Sequence, residues 1–304
     1  MLKFKVTILG SGSAVPTRDR NPTAQLINLH NTYILADCAE GTQLCLRENS
    51  IRLQKVDYIL ISHLHGDHFY GLPGLISTLH LLGRSKPITI FGPPGLEKAV
   101  MGMVEISRSN LRYPLRFVET QTEHKELIIE HSTFEIYSFP LLHKVPTTGF
   151  LFEEKPKKRL YRPEIGEDFG IPHYWIDRIK QGQDYIDEEG NRILNRLLTK
   201  DPEPPKSYAF CTDTAYYPKI ATFIQDVDVI YHEASFLVED KKRALETRHS
   251  TSQDAAQIAM LCNARKLVIG HFSARYNNLQ PFLEEAKPFF NNVVLAYDGM
   301  VINV

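Results

Sequence analysis

Residues 2–9 alternate apolar and polar side chains, with Leu2, Phe4, Val6 and Ile8 set against Lys3, Lys5 and Thr7. A period of two predicts a strand with one buried face. Gly10-Ser11-Gly12-Ser13 ends it in a turn. Apolar runs at 24–29 and 32–37 flank His30-Asn31 and predict a hairpin. A short helix is expected over 41–48 and a buried strand over 56–62. Leu72, Leu75, Leu79 and Leu82 then form a helical stripe that Gly83 stops. Next come a strand at 88–91, a helix near 96–106, and strands at 127–130, 133–139 and 148–153.

The last third alternates strands (208–212, 227–233, 266–270, 293–296) with helices (252–263 and about 280–289). Early hairpins followed by alternating units predict an α/β protein, a sandwich of two mixed β-sheets with helices outside. Residues 154–206 break the rhythm. They hold six prolines, many charges and the only tryptophan, Trp175. They read as an inserted, projecting arm with a small helix around 174–181, rather than a structureless loop. The expected division is a catalytic domain of 1–153 and 207–304 and an arm of 154–206.

Composition narrows the class. The chain has 304 residues, 43% hydrophobic and 23% charged, in the globular range. Its formal charge of -1 excludes coating nucleic acid by bulk positive charge, though not a local basic patch. No apolar run is long enough for a signal peptide or a membrane span. Cys38, Cys45, Cys211 and Cys262 are scattered and form no CxxC pair. They read as buried thiols of a reduced cytoplasmic protein, with no membrane association.

Candidate chemistry centres on His63-Leu64-His65-Gly66-Asp67-His68. Four ligand-type residues fall within six positions, directly after a predicted strand. His63 and His65 point the same way from an extended backbone. Asp67 and His68 are adjacent and cannot both join them, and Gly66 lets the chain turn between the pairs. Two adjacent metal sites are the economical reading, with zinc suited to imidazole and carboxylate and manganese or iron as alternatives. Further ligands are expected just past other strands, where His143, Asp213 and His271 stand. His30, His80, His124, His131 and His173 have no such context, and His232 reads as structural.

The hexad resembles the HxHxDH signature of the metallo-β-lactamase superfamily. Other segments resemble one branch of it, ribonuclease Z, the endonuclease that removes 3′ trailers from precursor transfer RNA. They are Gly10-Ser11-Gly12-Ser13-Ala14-Val15-Pro16, Asp37-Cys38-Ala39-Glu40-Gly41-Thr42-Gln43, Gly71-Leu72-Pro73-Gly74-Leu75, His232-Glu233-Ala234-Ser235-Phe236, His249-Ser250-Thr251 and His271-Phe272-Ser273-Ala274-Arg275-Tyr276. The resemblance implies a metallo-β-lactamase-like αββα sandwich and two zinc ions per subunit. It implies that His63, His65 and His143 bind one, that Asp67, His68 and His271 bind the other, and that Asp213 bridges both.

Two metals would generate hydroxide to attack phosphorus, with Asp67 also handling the water's proton. By resemblance Glu233 and His249 form the proton-donating pair, leaving a 3′-hydroxyl on the transfer RNA and a 5′-phosphate on the trailer. Taken alone, Glu233 reads equally as a buried structural carboxylate and His249 as a neighbour of a helix cap.

Pro16-Thr17-Arg18-Asp19-Arg20-Asn21 resembles the branch's PxKxRN loop, which implies RNA contacts for Arg18, Arg20 and Asn21. The arm resembles an exosite for the transfer-RNA elbow, acting in a homodimer. Residues 153–206 carry 11 basic and 12 acidic side chains. Yet Lys155, Lys157, Lys158, Arg159 and Arg162 form a run free of acids, suited to phosphates. Ile171-Pro172 runs into His173-Tyr174-Trp175 where many arms have Gly-Pro, which points to stacking by Trp175 or Tyr174. The rival readings are a small-molecule phosphodiesterase or thioester hydrolase of the same superfamily, and an RNA-binding module with an inactive metal site. A full ligand set argues against the last.

Overall fold

The computed structural model describes residues 4–108 and 110–304. The first strand is Phe4–Gly10, so the expected contribution of Leu2 and Lys3 lies outside the described residues. Two seven-stranded sheets dominate. In the first, spatial order runs Val301–Asn303, Phe4–Gly10, Ala24–Leu29, Thr32–Ala36, Val56–Leu60, Ile88–Gly92 and Leu115–Glu119. The first four pair antiparallel and the rest are parallel. In the second, order runs Val293–Leu295, Lys266–Gly270, Val229–Glu233, Ser207–Cys211, Thr148–Glu154, Phe134–Pro140 and Glu126–Glu130.

Both faces of the central strands are buried, which is why their sequences are apolar almost throughout. Ile34 packs between the sheets with Phe134, Phe150, Tyr208 and Phe210. Its neighbour Leu35 faces the other way, toward Leu72, Leu75 and Leu79 of the helix Leu72–Leu81. On the far side, the helices Ser252–Leu261 and Gln280–Ala286 pack through Ala255, Ile258, Ala259 and Phe282 against Ala209, Ile230 and Ile269. The layers are therefore helix, sheet, sheet, helix, with two mixed sheets.

Several expectations need correction. Leu82 lies past the last helical turn and is half exposed, so the apolar stripe ends at Leu79. The helix expected over 252–263 stops at Leu261, and Asn263 turns left-handed. The one expected to 289 ends at Ala286. The short strands Leu115–Glu119 and Val301–Asn303 and the helix Lys241–Thr247 escaped the pattern reading. The two strands close opposite edges of the first sheet and are partly exposed, so their apolar signal is weak.

Glu154–Pro205 is a compact unit of its own. Leu160–Tyr161 pairs with Thr199–Lys200, and Tyr185–Ile186 with Arg192–Ile193. Helices Pro163–Asp168, Ile176–Lys180 and Asn195–Leu198 complete it. Ile179, Tyr185 and Leu198 form its small core, with Trp175 packed against them. Within the described residues no helix is long and apolar enough to cross a membrane.

Candidate metal centre

The ligand-type residues gather at the carboxyl ends of strands, where open α/β sheets place their sites. His63 follows Val56–Leu60, His143 follows Phe134–Pro140, Asp213 follows Ser207–Cys211 and His271 follows Lys266–Gly270. Asp67 and His68 ride a helical turn, Gly66–Phe69. The chain does turn at Gly66, passing from extended backbone at His65 into the helical turn, without a positive φ at the glycine. A Cβ there would stand 2.3 Å from the Tyr70 ring. His271 has φ 60, a strained left-handed turn that aims its ring away from the run of the strand.

Two quartets of atoms result. In the first, His63 Nε2 lies 3.0 Å from His65 Nδ1, and His143 Nε2 lies 3.3 Å from that same nitrogen. Both Nε2 atoms are 3.6 Å from Asp213 Oδ2. In the second, His68 Nε2 is 3.4 Å from Asp67 Oδ2 and 3.3 Å from Asp213 Oδ1. His271 Nε2 is 3.0 Å from Asp213 Oδ1 and 3.9 Å from Asp67 Oδ2. Two ligands each about 2.1 Å from one tetrahedral ion stand about 3.4 Å apart. Asp213 offers one oxygen to each quartet. Moreover, His68 Nε2 and His271 Nε2 are buried without a hydrogen-bond partner among the described residues. Orphaned lone pairs beside two carboxylates fit a divalent cation, and the donor set suits zinc.

The opposite ring nitrogens of His63, His68, His143 and His271 are tied down. Ser62 Oγ lies 3.0 Å from His63 Nδ1, and Asp37 accepts from His68 Nδ1 at 2.7 Å. The Arg248 carbonyl accepts from His143 Nδ1 at 2.9 Å, while Arg248 Nη1 donates back to the His143 carbonyl. Ser235 Oγ lies 3.0 Å from His271 Nδ1. Such partners fix the tautomer that leaves Nε2 bare. Asp37, Ser62, Ser235 and Arg248 were not singled out from sequence. Their one signal was that Asp37 and Ser235 lie inside family-like segments.

Electrostatics follow from this packing. Burial lowers the pKa of His63, His65 and His143, keeping those rings neutral. Burial opposes charge on His68 too, yet Asp213 and Asp37 push its pKa well above the ordinary value. Burial would raise Asp213, but His271, His68, His249 and His63 hold it well below the usual carboxylate range. Asp67 is likewise held low against burial by His271 and His68. It also accepts the Ala14 N–H at 2.9 Å, which ties the glycine-serine loop to the site.

Glu233 ends its strand fully buried. Its Oε1 accepts from Thr214 N–H, Ser250 N–H and His249 Nδ1 at 3.1, 3.1 and 2.8 Å. Its Oε2 accepts from the Ser235 N–H and hydroxyl, both at 2.9 Å. His249 Nε2 then lies 3.8 Å from Asp213 Oδ2. Burial resists charge on His249, but Glu233 and Asp213 raise its pKa to about 9. His232 stays outside these clusters, buried, with Nδ1 2.7 Å from the Glu233 carbonyl.

The expected RNA contacts divide. Arg18 is exposed and makes no hydrogen bond or ion pair with the described residues. Arg20 instead donates to the Tyr276 carbonyl at 2.8 Å, and Asn21 donates to Asp298 through its backbone at 2.7 Å and its amide at 2.9 Å. Within the arm, Lys157 pairs with Glu154, Lys158 with Asp177, Arg159 with Asp201 and Arg162 with Glu164. Lys157 and Arg162 are thus matched by acids that flank the run in sequence, and Lys158 and Arg159 by acids from elsewhere in the arm. Trp175 packs edge-on against Tyr185, with Arg178 over its face, whereas Tyr174 is 74% exposed.

Comparison with known proteins places this geometry. Residues 4–156 match the family model described as Anti-Pycsar protein Apyc1. Over 304 residues, covering all of both chains, the protein is 41% identical to the ribonuclease Z of Parabacteroides distasonis. It is 41% identical, with the same full coverage, to that of Porphyromonas gingivalis. The crystal structure of the short form of human tRNase Z superposes with TM-score 0.71 at 27% identity, covering 99% of each chain. The metallo-β-lactamase fold protein YhfI from Bacillus subtilis gives TM-score 0.71 at 16% identity over 100% of both chains, a likeness of fold. Matched over its first half by the Apyc1 model and end to end by these relatives, the chain belongs to the ribonuclease Z family and has the metallo-β-lactamase fold.

Proposed function

We propose that the protein is a metal-dependent endoribonuclease that removes the 3′ trailer from precursor transfer RNA. The observation that carries the reading is the pair of ligand quartets sharing Asp213, with His249 held beside them by Glu233. Full-length identity of about 40% to several ribonuclease Z proteins supports the substrate.

In this reading His63, His65, His143 and Asp213 hold one zinc ion, and Asp67, His68, His271 and Asp213 hold a second. Bound there, the ions would supply a water acidic enough to attack phosphorus at neutral pH and would offset charge on the phosphoryl oxygens. Asp67 is held ionised, so it can accept a hydrogen bond from the attacking water and hold its proton in place. Glu233, saturated by five donors, keeps His249 Nδ1–H in place and leaves Nε2–H to protonate the departing 3′-oxygen. The products would be a 3′-hydroxyl on the transfer RNA and a 5′-phosphate on the trailer. Arg18 would meet the RNA directly, with Arg20 and Asn21 shaping its loop. Residues 154–206 would act as an exosite arm through Lys155, Lys157, Lys158, Arg159 and Arg162, and the last four can exchange their ion pairs with acids for phosphates. The resemblance further supports a cytoplasmic homodimer.

The test incubates the purified protein with a 3′-extended precursor transfer RNA and with a simple phosphodiester, with and without chelator. Chelator-sensitive cleavage of the precursor at the trailer junction is expected. Hydrolysis of the simple ester alone would overturn the reading in favour of a small-molecule phosphodiesterase. Deleting 155–205 is expected to weaken precursor cleavage far more than ester hydrolysis, and equal losses would make the arm structural.

A further inference from the structure

Beside Asp67 lies a concave surface that the cleavage chemistry leaves unused. A cavity of about 290 Å³ is lined by Pro16, Pro22, Glu40, Gly66, Asp67 and Tyr70. Its volume lies just below the ~300–1,000 Å³ of ordinary ligand pockets, the size for one planar ring and its sugar. Tyr70 forms one wall. Three residues after Asp67, it shares a side of the helical turn with that carboxylate. The residue is 62% exposed, yet its ring is packed on two sides. It packs edge-on to Phe69, with centroids 5.0 Å apart, and lies so close over Gly66 that no Cβ would fit.

The loop carrying Pro16 is anchored through the Ala14 N–H to Asp67 at 2.9 Å. The lining carries no positive charge. Its rim carries the exposed carboxylate of Glu40, which makes no hydrogen bond or ion pair with the described residues. A phosphate would be repelled there. A flat, uncharged heteroaromatic ring bearing an amino group would stack on Tyr70 and donate to Glu40.

We infer that this cavity is a nucleobase subsite for a nucleotide flanking the scissile phosphate, with the base stacked on Tyr70 and its exocyclic amine held by Glu40. The inference rests on the endoribonuclease reading. Base and phosphate would be gripped side by side, because Asp67 belongs both to the cavity wall and to the ligand cluster. Adenine, cytosine and guanine carry the required amine, and uracil does not.

The test measures kcat/KM on a precursor transfer RNA and on two versions with an abasic nucleotide, immediately 5′ or 3′ of the cleaved bond. Tyr70→Ala should lower kcat/KM on the intact precursor by about tenfold or more, and Tyr70→Phe should retain it. One abasic precursor should be cut by the unmodified protein at a similarly reduced rate, with no further loss from Tyr70→Ala. Equal losses from Tyr70→Ala on all three precursors, or no loss on any, would overturn the subsite. Glu40→Gln supplies a second reading that does not depend on the stability of the Tyr70 variants. An amide can donate to a uracil carbonyl, so the preference for amino-bearing bases at that position should narrow, and an unchanged preference would refute the role of Glu40. A protein that cuts none of the three precursors would instead bring down the endoribonuclease reading, a result distinct from cleavage that ignores the flanking base.

Discussion

Asp37→Asn isolates what holds the second quartet in place. Asp37 follows the strand Thr32–Ala36 with φ 56, a left-handed conformation that asparagine also tolerates. The backbone should therefore survive the change. Its side chain is fully buried among donors. Oδ1 accepts the Ser62 N–H at 2.8 Å, and Oδ2 accepts the Ser62 hydroxyl at 2.9 Å and His68 Nδ1 at 2.7 Å. Asparagine keeps one oxygen and replaces the other with a donor.

If the amide oxygen faces His68, the new NH2 opposes the Ser62 N–H. A buried donor left unsatisfied costs about 1–3 kcal/mol. If the amide turns over, its N–H faces His68 Nδ1 and draws the imidazole proton to Nε2. That nitrogen is the one lying 3.3 Å from Asp213 Oδ1 and 3.4 Å from Asp67 Oδ2, and once protonated it cannot ligate. Loss of such an outer partner typically weakens metal binding by roughly 10–100-fold. Either rotamer therefore lowers stability or metal affinity. Zinc affinity by competition with a chromogenic chelator, together with the melting temperature of the metal-free protein, reads both. A variant with unchanged zinc affinity and unchanged melting temperature would refute the tautomer argument, however its activity behaved.

Ser235→Ala should act in the same way on the other histidine, because it removes the hydroxyl 2.9 Å from Glu233 Oε2 and 3.0 Å from His271 Nδ1. Zinc affinity is expected to fall by about 10–100-fold and to recover in Ser235→Thr, and a variant that Thr does not rescue would deny the hydroxyl its role. The four cysteines are free and buried, and burial raises the thiol pKa of Cys45 to about 11 and of Cys262 to about 12. At pH 8 a thiol-specific disulfide reagent should label none of them before unfolding and all four afterwards, and rapid labelling of the folded protein would contradict the packing.

The legible parts of the molecule were those whose signal is local. His63–His68 stood out because four ligand types fall together after one strand, and His143, Asp213 and His271 because each follows another. The partners that orient them were not legible in that way. Asp37 meets Ser62 across 25 positions and Arg248 meets His143 across 105, so only the folded chain joins them. An aspartate or serine in a loop has too many ordinary uses for its type alone to announce this one. The same holds for the arm. Its cationic run is acid-free in sequence, but Asp177 and Asp201 return to it in space. The aromatic prediction divided for a similar reason: Trp175 and Tyr174 are adjacent, and the arm's small core took the tryptophan and left the tyrosine exposed.

The loop at 16–21 shows how two arginines that read alike in sequence come to differ. Arg18 is exposed and uncommitted, so Arg18→Ala should change only the interaction with a polyanion. Loss of one phosphate contact should weaken precursor binding and reduce the slope of log affinity against log salt by about one, with the melting temperature unchanged. Arg20 is half-buried, and its guanidinium holds the Tyr276 carbonyl at 2.8 Å. Truncation there leaves that carbonyl without its charged donor and frees the loop from the segment after His271. The expected cost is about 1–3 kcal/mol, read as a lower urea midpoint. Because the same loop carries the Ala14 N–H bonded to Asp67, cleavage should fall even for a small diester that never touches Arg20. Equal behaviour of the two variants, with both altering salt dependence and neither altering stability, would mean that Arg20 leaves Tyr276 to bind RNA, and that the bonds of Asn21 to Asp298 and of Ala14 to Asp67 suffice to hold the loop.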